Sequence, residues 1–370
     1  MNDDVAVRRT GQGAVAVQLA GVAAVLESAD EEFMQFADAH LAPLRSTPSA
    51  TPRVHATLRW HEGGPPERLT ARPTLGAMDR VDRDLYRGDG ELAWYRVDDL
   101  RDLQLHLAWD GTRLRVEGDY YHRLSKTPRR DQMNRLLLRR RLPQLRRRRF
   151  TTLLYYLLYY PSFWCLERQG WHPIHAGAVE LPGGIAVFAG PSGIGKSTTV
   201  TGLATTPGAR LLSDTFLLHR GPELRSVPEP LLMDDRSRAW LGADARLLQH
   251  VAHRYCLGRE GYHLPSDRLS PGGSARVLLF PHRSAQHYIR ALSADHARGR
   301  LRAGDLIVND LRRYWAYAAV LELLDPHPLV AEREASLAEL VTRVPVHEIG
   351  LVPQMTREQM VELLAGLMRG

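Results

Sequence analysis

Polar and apolar positions alternate in several short runs near the N-terminus. Val54, Ala56, Leu58 and Trp60 alternate with polar neighbours, and so do Leu103, Leu105 and Leu107. A period of two is that of a strand with one buried face. Asp110-Gly111 follows the second run and predicts a hairpin whose return strand carries Leu114 and Val116. Ala14 to Val17 reads as another strand. Phe33, Phe36 and Leu41 recur at helical spacing between Asp30 and Leu44, and Gly63-Gly-Pro-Pro66 marks a loop. These elements predict a smaller N-terminal α+β domain over residues 1–122, a recognition or scaffold unit with no evident chemistry.

The pattern changes over residues 123–169, which predict two linking helices. The first is arginine-rich, with Met133, Leu136, Leu137 and Leu145 as its expected buried side. The second, Phe150 to Leu166, has no charged residue and is rich in Leu and Tyr. It is shorter than a bilayer-spanning helix and contains Pro161, so it predicts a buried helix ending near Tyr160.

Residues 170–370 read as an α/β nucleotide domain. His175-Ala-Gly-Ala-Val-Glu180, a turn at Leu181-Pro-Gly-Gly184 and Ile185-Ala-Val-Phe-Ala189 predict two strands with a short connection. So short a link makes them antiparallel neighbours. Helical Thr198 to Ala204 follows a glycine-rich loop, and Arg210-Leu-Leu-Ser-Asp214 is an apolar run ending in an acid. Phe216–His219 and Leu224–Val227 predict a hairpin, Val277 to Pro281 and Arg343 to Leu351 predict strands, and Thr356 with Gln359 forms a capping box for a last helix.

The loop carries the chemistry. Gly190-Pro-Ser-Gly-Ile-Gly195-Lys196-Ser197 fits the phosphate-binding pattern G-x-x-x-x-G-K-[ST] at every fixed position. Its glycines let backbone N–H groups wrap an anion at a helix N-terminus. Gly190, Ser192, Gly193, Ile194, Gly195, Lys196, Ser197 and Thr198 are the expected nucleotide-binding residues. Only two of the 49 basic residues are lysines, Lys126 and Lys196, so one of them stands where a compact ammonium is needed between phosphate oxygens. Asp214, at the end of the following strand, is the candidate to hold Mg²⁺ with Ser197 or to take a proton beside the phosphates.

Composition narrows the partners. The formal charge is +7, but residues 123–149 alone carry +11, leaving −4 elsewhere. That segment suits an acidic peptide; it lacks interleaved aromatics, which disfavours nucleic acid. Membrane contact is also disfavoured, and a homo-oligomer is left open. Cys165 and Cys256 make no disulfide framework. The acidic start, Met-Asn-Asp-Asp-Val, predicts no signal peptide and a cytoplasmic location. Neither lysine offers the base-reading motif of a GTPase. Leu269-Ser-Pro-Gly-Gly-Ser274 echoes an ABC signature, but no acidic strand follows it.

The arrangement resembles the HPr kinase/phosphorylase family, whose fold is shared with ATP-type phosphoenolpyruvate carboxykinases. The resemblance rests on His175-Ala, the Gly183-Gly184 turn, the loop Gly190–Ser197 and Leu211-Leu-Ser-Asp214, with 21 residues from His175 to Lys196. It covers roughly residues 170–230. The Leu/Tyr stretch and Trp171-His-Pro resemble HPr-kinase-like proteins of peptide-modification gene clusters, lasso-peptide kinases among them. The resemblance implies an ATP- and Mg²⁺-dependent kinase acting on a hydroxyl, a serine of a peptide or small protein. It implies active-site roles for His175, Lys196 and Asp214. Thr215 stands where the family has a second Asp; Glu229, Asp234 and Asp235 are candidate substitutes, and Arg236, Arg238 and Arg283 could neutralise phosphate. A small-molecule kinase and a nucleotide-binding interaction protein without chemistry are the alternatives.

Overall fold

The alternating N-terminal runs become one mixed sheet in a computed structural model that describes residues 13–64, 78–97, 100–191, 193–254, 259–352 and 356–369. The signal-peptide reading, Pro65-Pro66, Ser192 and Cys256 concern residues outside these. The chain is a mixed α/β protein and divides into two units, Met1–Ser162 with Leu321–Asp325, and Phe163–Val320 with Pro326–Gly370.

In the first unit the strands are β1 (Ala14–Leu19), β2 (Val22–Ser28), β3 (Val54–Glu62), β4 (Asp79–Asp82), β5 (Leu85–Arg87), β6 (Glu91–Val97), β7 (Leu100–Trp109) and β8 (Leu114–His122). They form an eight-stranded sheet in the order β1-β2-β3-β8-β7-β6-β5-β4. β2, β3 and β8 run parallel, and the rest of the sheet is antiparallel. The hairpin at Asp110-Gly111 closes Trp109 against Leu114, and Asp110 Oδ1 accepts the N–H groups of Thr112 and Arg113. Helix α1 (Glu31–His40) is started by Asp30, whose Oδ1 accepts the Phe33 N–H at 2.8 Å. It buries Phe33 and Phe36 against Phe150 of the helix that follows the sheet. Each such ring contributes about 1.5–3 kcal/mol by burial.

Two expectations for the linking helices are corrected. Helix α2 (Pro128–Leu137) exposes Met133, Leu136 and Leu137, by 51, 77 and 73 %. Its inward side is polar: buried Asp131 accepts the Ser125 N–H at 3.0 Å and pairs with Arg135 one turn on. The apolar residues fall on the opposite side. Helix α3 (Leu142–Leu154) buries Phe150, Leu153 and Leu154, while Leu145 is half-buried. The apolar stretch does not end near Tyr160. It passes through a π-turn, Tyr155–Tyr159, into α4 (Tyr160–Glu167). The Tyr160 N–H donates to Tyr155 O, one residue further back than an α-helix allows. That wider turn resets the ladder immediately before Pro161, which has no N–H to give.

The second unit holds β9 (His172–Leu181), β10 (Gly184–Ala189), α5 (Lys196–Ala204), β11 (Arg210–Ser213), β12 (Phe216–Arg220), β13 (Glu223–Ser226), β14 (Leu231–Met233) and α6 (Asp235–Leu241). After these come β15 (Gln249–Arg254), β16 (Glu260–His263), β17 (Gly272–Arg283), β18 (Tyr288–Ala291), α7 (Ala294–Ile307), α8 (Asn309–Leu321), α9 (Leu329–Arg343), β19 (Val346–Leu351) and α10 (Arg357–Arg369). β9 and β10 are antiparallel with Leu181 opposite Gly184. β10 also pairs in parallel with β17, and β17 reaches back through β13 and β12 to β9, so these five strands close into a ring. β10 is apolar throughout because both its faces are covered. Ala186 and Phe188 join a core with Val200 and Leu203 of α5 and Leu364 of α10. Ile185 and Val187 face the opposite core, with Leu301 of α7 and Leu340 of α9. The capping box of α10 forms: the Thr356 N–H donates to Gln359 Oε1 at 2.9 Å, and the Gln359 N–H to Thr356 Oγ1 at 3.3 Å. Among the described residues no helix is long and apolar enough to cross a membrane.

Candidate functional site

The loop between β10 and α5 needs three backbone conformations that side chains resist. Gly190, Gly193 and Gly195 have φ of +135, +85 and +100°, and Gly195 is the N-cap of α5. Turning the loop this way leaves Ser197 exposed at the first turn of the helix and drives Lys196 inward, where it is 5 % exposed. The Lys196 ammonium donates to Gly190 O at 2.6 Å and Pro191 O at 2.9 Å, so it braces the loop from inside.

Asp214 follows β11 directly and is also buried. Thr215 Oγ1 donates to its Oδ1 at 2.9 Å, and the Ser197 hydroxyl also hydrogen-bonds it. Burial pushes the Asp214 carboxyl up, while the two hydroxyls and the Lys196 charge pull the other way. Burial lowers Lys196 to about 8, with Asp214 opposing. The strand register brings in His175: it pairs with Phe216 of β12, two residues from Asp214. Burial, helped by the Lys196 charge, pushes the His175 imidazole down to about 3, so the ring is neutral at pH 7. The Thr215 backbone approaches the ring, but His175 Nδ1 makes no hydrogen bond of good geometry.

A cleft of about 600 Å³ opens here. His175, Lys196, Ser197, Asp214 and Thr215 line one part of it, with Gly193, Ile194, Gly195 and Thr198 of the loop. Gly190 shapes the loop without lining the cleft. Arg236 and Arg283 also line it, and Arg283 donates to Gly193 O at 3.3 Å. Arg238 does not; it donates to the Tyr262 hydroxyl at 2.8 Å. Of the three acids considered as substitutes at Thr215, only Asp234 lines the cleft, and it caps α6 by accepting the Ser237 N–H at 2.7 Å.

Two acids missed in the sequence reach this place from α7 and α8. Asp310 lines the cleft, and burial pushes its carboxyl up. Asp305 Oδ1 accepts the His175 backbone N–H at 3.4 Å, and burial pushes its carboxyl up to about 7. Both lie far along the chain from the loop with no motif around them, so no local pattern signals them. His172, by contrast, is tied up in a buried pair, Nδ1 to Glu167 Oε1 at 3.1 Å.

The set fits a Mg²⁺-bound nucleotide. Among the described residues no three His, Cys, Asp or Glu side chains cluster as a metal site. Mg²⁺ suits such a place, because it binds through one or two protein oxygens plus substrate phosphates. Ser197 and Asp214, whose side chains hydrogen-bond each other, are the residues that could supply such oxygens. No protein-family model matches the chain, and no curated protein matches it.

Proposed function

We propose that this protein is an ATP- and Mg²⁺-dependent kinase of the HPr kinase/phosphoenolpyruvate carboxykinase type, transferring the γ-phosphoryl group to a serine hydroxyl of a peptide or small protein. The observation that carries the reading is that buried Lys196 and buried Asp214 line one cleft with the exposed hydroxyl residue Ser197 and with neutral His175. Bound Mg²⁺ would neutralise charge on the transferring phosphate. Lys196 would exchange its loop carbonyls for β- and γ-phosphate oxygens, whose negative charge raises its affinity for a proton. Asp214 would orient or deprotonate the attacking hydroxyl, and its raised affinity for protons suits a base. His175, neutral, would hold a hydrogen bond to the phosphate or the acceptor without adding charge. Asp310 would stand in for the second acid that Thr215 lacks. An acidic acceptor matches the arginine-rich segment.

The test is conversion of ATP to ADP with Mg²⁺, with and without acidic serine-containing peptides. Acceptor-dependent turnover lost in Lys196→Ala supports the reading. ATP binding without turnover on any acceptor rejects it in favour of a nucleotide-binding interaction protein.

A further inference from the structure

The cleft has an apolar end. Leu232 and Trp240 are 37 and 42 % exposed, two of only ten large apolar side chains left open among the described residues. Both line the cleft, together with Leu203, Val352 and Met360. Exposed apolar surface gathered in a pocket marks a binding face more often than scattered exposure does.

Trp240 comes from α6 and lies directly across α5 at Gly202. A Cβ at Gly202 would stand 2.2 Å from its Cζ3 and 2.5 Å from its Cη2. No other residue at 202 would let the indole lie there. Gly202 is one helical turn beyond Thr198, about 6 Å along the axis. An anion held at the N-terminus of α5 therefore has this ring within reach of whatever is attached to it. The Arg357 stem passes the same spot, its Cδ 3.4 Å from the Gly202 Cβ position. Its guanidinium is already engaged, donating to Thr205 Oγ1 at 3.1 Å and pairing with Asp244. This part of the lining therefore offers a partly exposed indole with aliphatic neighbours, which suits a flat π-system.

We infer that Trp240 is the stacking platform for the purine base of the nucleotide, and that Gly202 is the seat that holds the indole in place. The inference rests on the nucleotide reading above. Its test is calorimetry on the full chain with two probes, ATP·Mg²⁺ and tripolyphosphate·Mg²⁺, the second having no base. Trp240→Ala is expected to weaken ATP about 5- to 150-fold, the range of base–aromatic stacking, and to leave tripolyphosphate unchanged. Trp240→Phe is expected to recover most of the ATP affinity. Indole fluorescence should change with ATP and not with tripolyphosphate. Unchanged ATP affinity in Trp240→Ala overturns the platform, and so does an equal loss of both probes, which would mean that Trp240 shapes the loop. If the unaltered protein binds neither probe, the nucleotide reading fails first and takes this one with it.

Discussion

An ammonium as buried as that of Lys196 is costly unless something answers its charge. Two loop carbonyls and the Asp214 carboxylate answer it only in part, as its lowered proton affinity shows. A site of this kind gives up stability for function, so Lys196→Ala should leave the fold as stable or slightly more so while cutting turnover by about 10²–10³-fold. Lys196→Arg should fail as well, because a planar fork does not fit where a point charge does. Normal turnover in either variant at saturating ATP rejects the site. Asp214→Asn keeps shape and removes charge. Turnover should be lost; if calorimetry finds ATP·Mg²⁺ affinity intact, Asp214 acts as the base, and if affinity falls with it, Asp214 acts through the metal. Asp305 offers a pH test. Its carboxyl rises from 3.8 unfolded to about 7 folded, so the native state binds the extra proton and the stability it contributes is lost as pH rises between these values. Asp305→Asn keeps an acceptor for the His175 N–H and cannot ionise. The variant should therefore gain on the parent protein as pH rises from about 4 to about 7, by on the order of 4 kcal/mol in full. His175 titrates in the opposite sense, being depressed to about 3, but it is present in both proteins and cancels. Parallel stability curves across that window would show that Asp305 is solvated or already charged.

Among the helices, partners decide what an arginine does. Arg146 on α3 is 21 % exposed and bridges Asp30, Glu32 and Glu62, with its guanidinium 4.7 Å from the centre of the Trp60 ring. Burial would raise Glu62, yet hydrogen bonds from His122, Trp60 and Arg135 and the Arg146 charge hold it down to about 2. Arg139, Arg140 and Arg141, a few residues earlier, are exposed. Arg146→Gln should lower the denaturant midpoint of the first unit by the equivalent of roughly 1–2 kcal/mol, whereas Gln at 139, 140 and 141 should leave it within experimental error. Equal effects would mean that the network contributes nothing. The sequence alone could not separate these arginines, because their acids come from β2–α1 and β3. The same limit governs the rest of the fold. β3, β7, β8 and the β9–β10 hairpin were legible because period-two alternation and short turns are local facts. The glycine loop was legible because its conformation is fixed by residue type. The orientation of α2 was not, since it depends on Asp131 accepting N–H groups from the preceding turn. Nor was the π-turn, whose only sequence trace is Pro161. At the site, His175 and Asp214 could be read from spacing to Lys196, but Asp305, Asp310 and Trp240 arrive through tertiary packing.

The whole molecule carries an uneven charge, +11 over residues 123–149 against −4 elsewhere. Part of that excess is spent internally: Arg123 pairs with Asp102, Arg135 with Asp131 and Glu62, and Arg147 with Glu32, besides the Arg146 network. Arg129, Arg130, Arg139, Arg140, Arg141, Arg148 and Arg149 remain exposed. Clustered charge raises the encounter rate with an oppositely charged partner by about 10–10³-fold, and the gain fades as the Debye length shrinks to about 8 Å at physiological salt. Arg139, Arg140, Arg141, Arg148 and Arg149 are the ones to change, because replacing Arg146 or Arg147 would disturb the fold and confuse the result. Five Gln substitutions should raise the apparent KM for an acidic acceptor peptide and flatten its dependence on salt. ATP affinity should not move, since the loop draws on its own lysine and backbone. A variant whose acceptor KM and salt profile match those of the parent protein would return these arginines to the role of a solvated helix surface, and the acceptor would then have to be recognised by shape within the cleft.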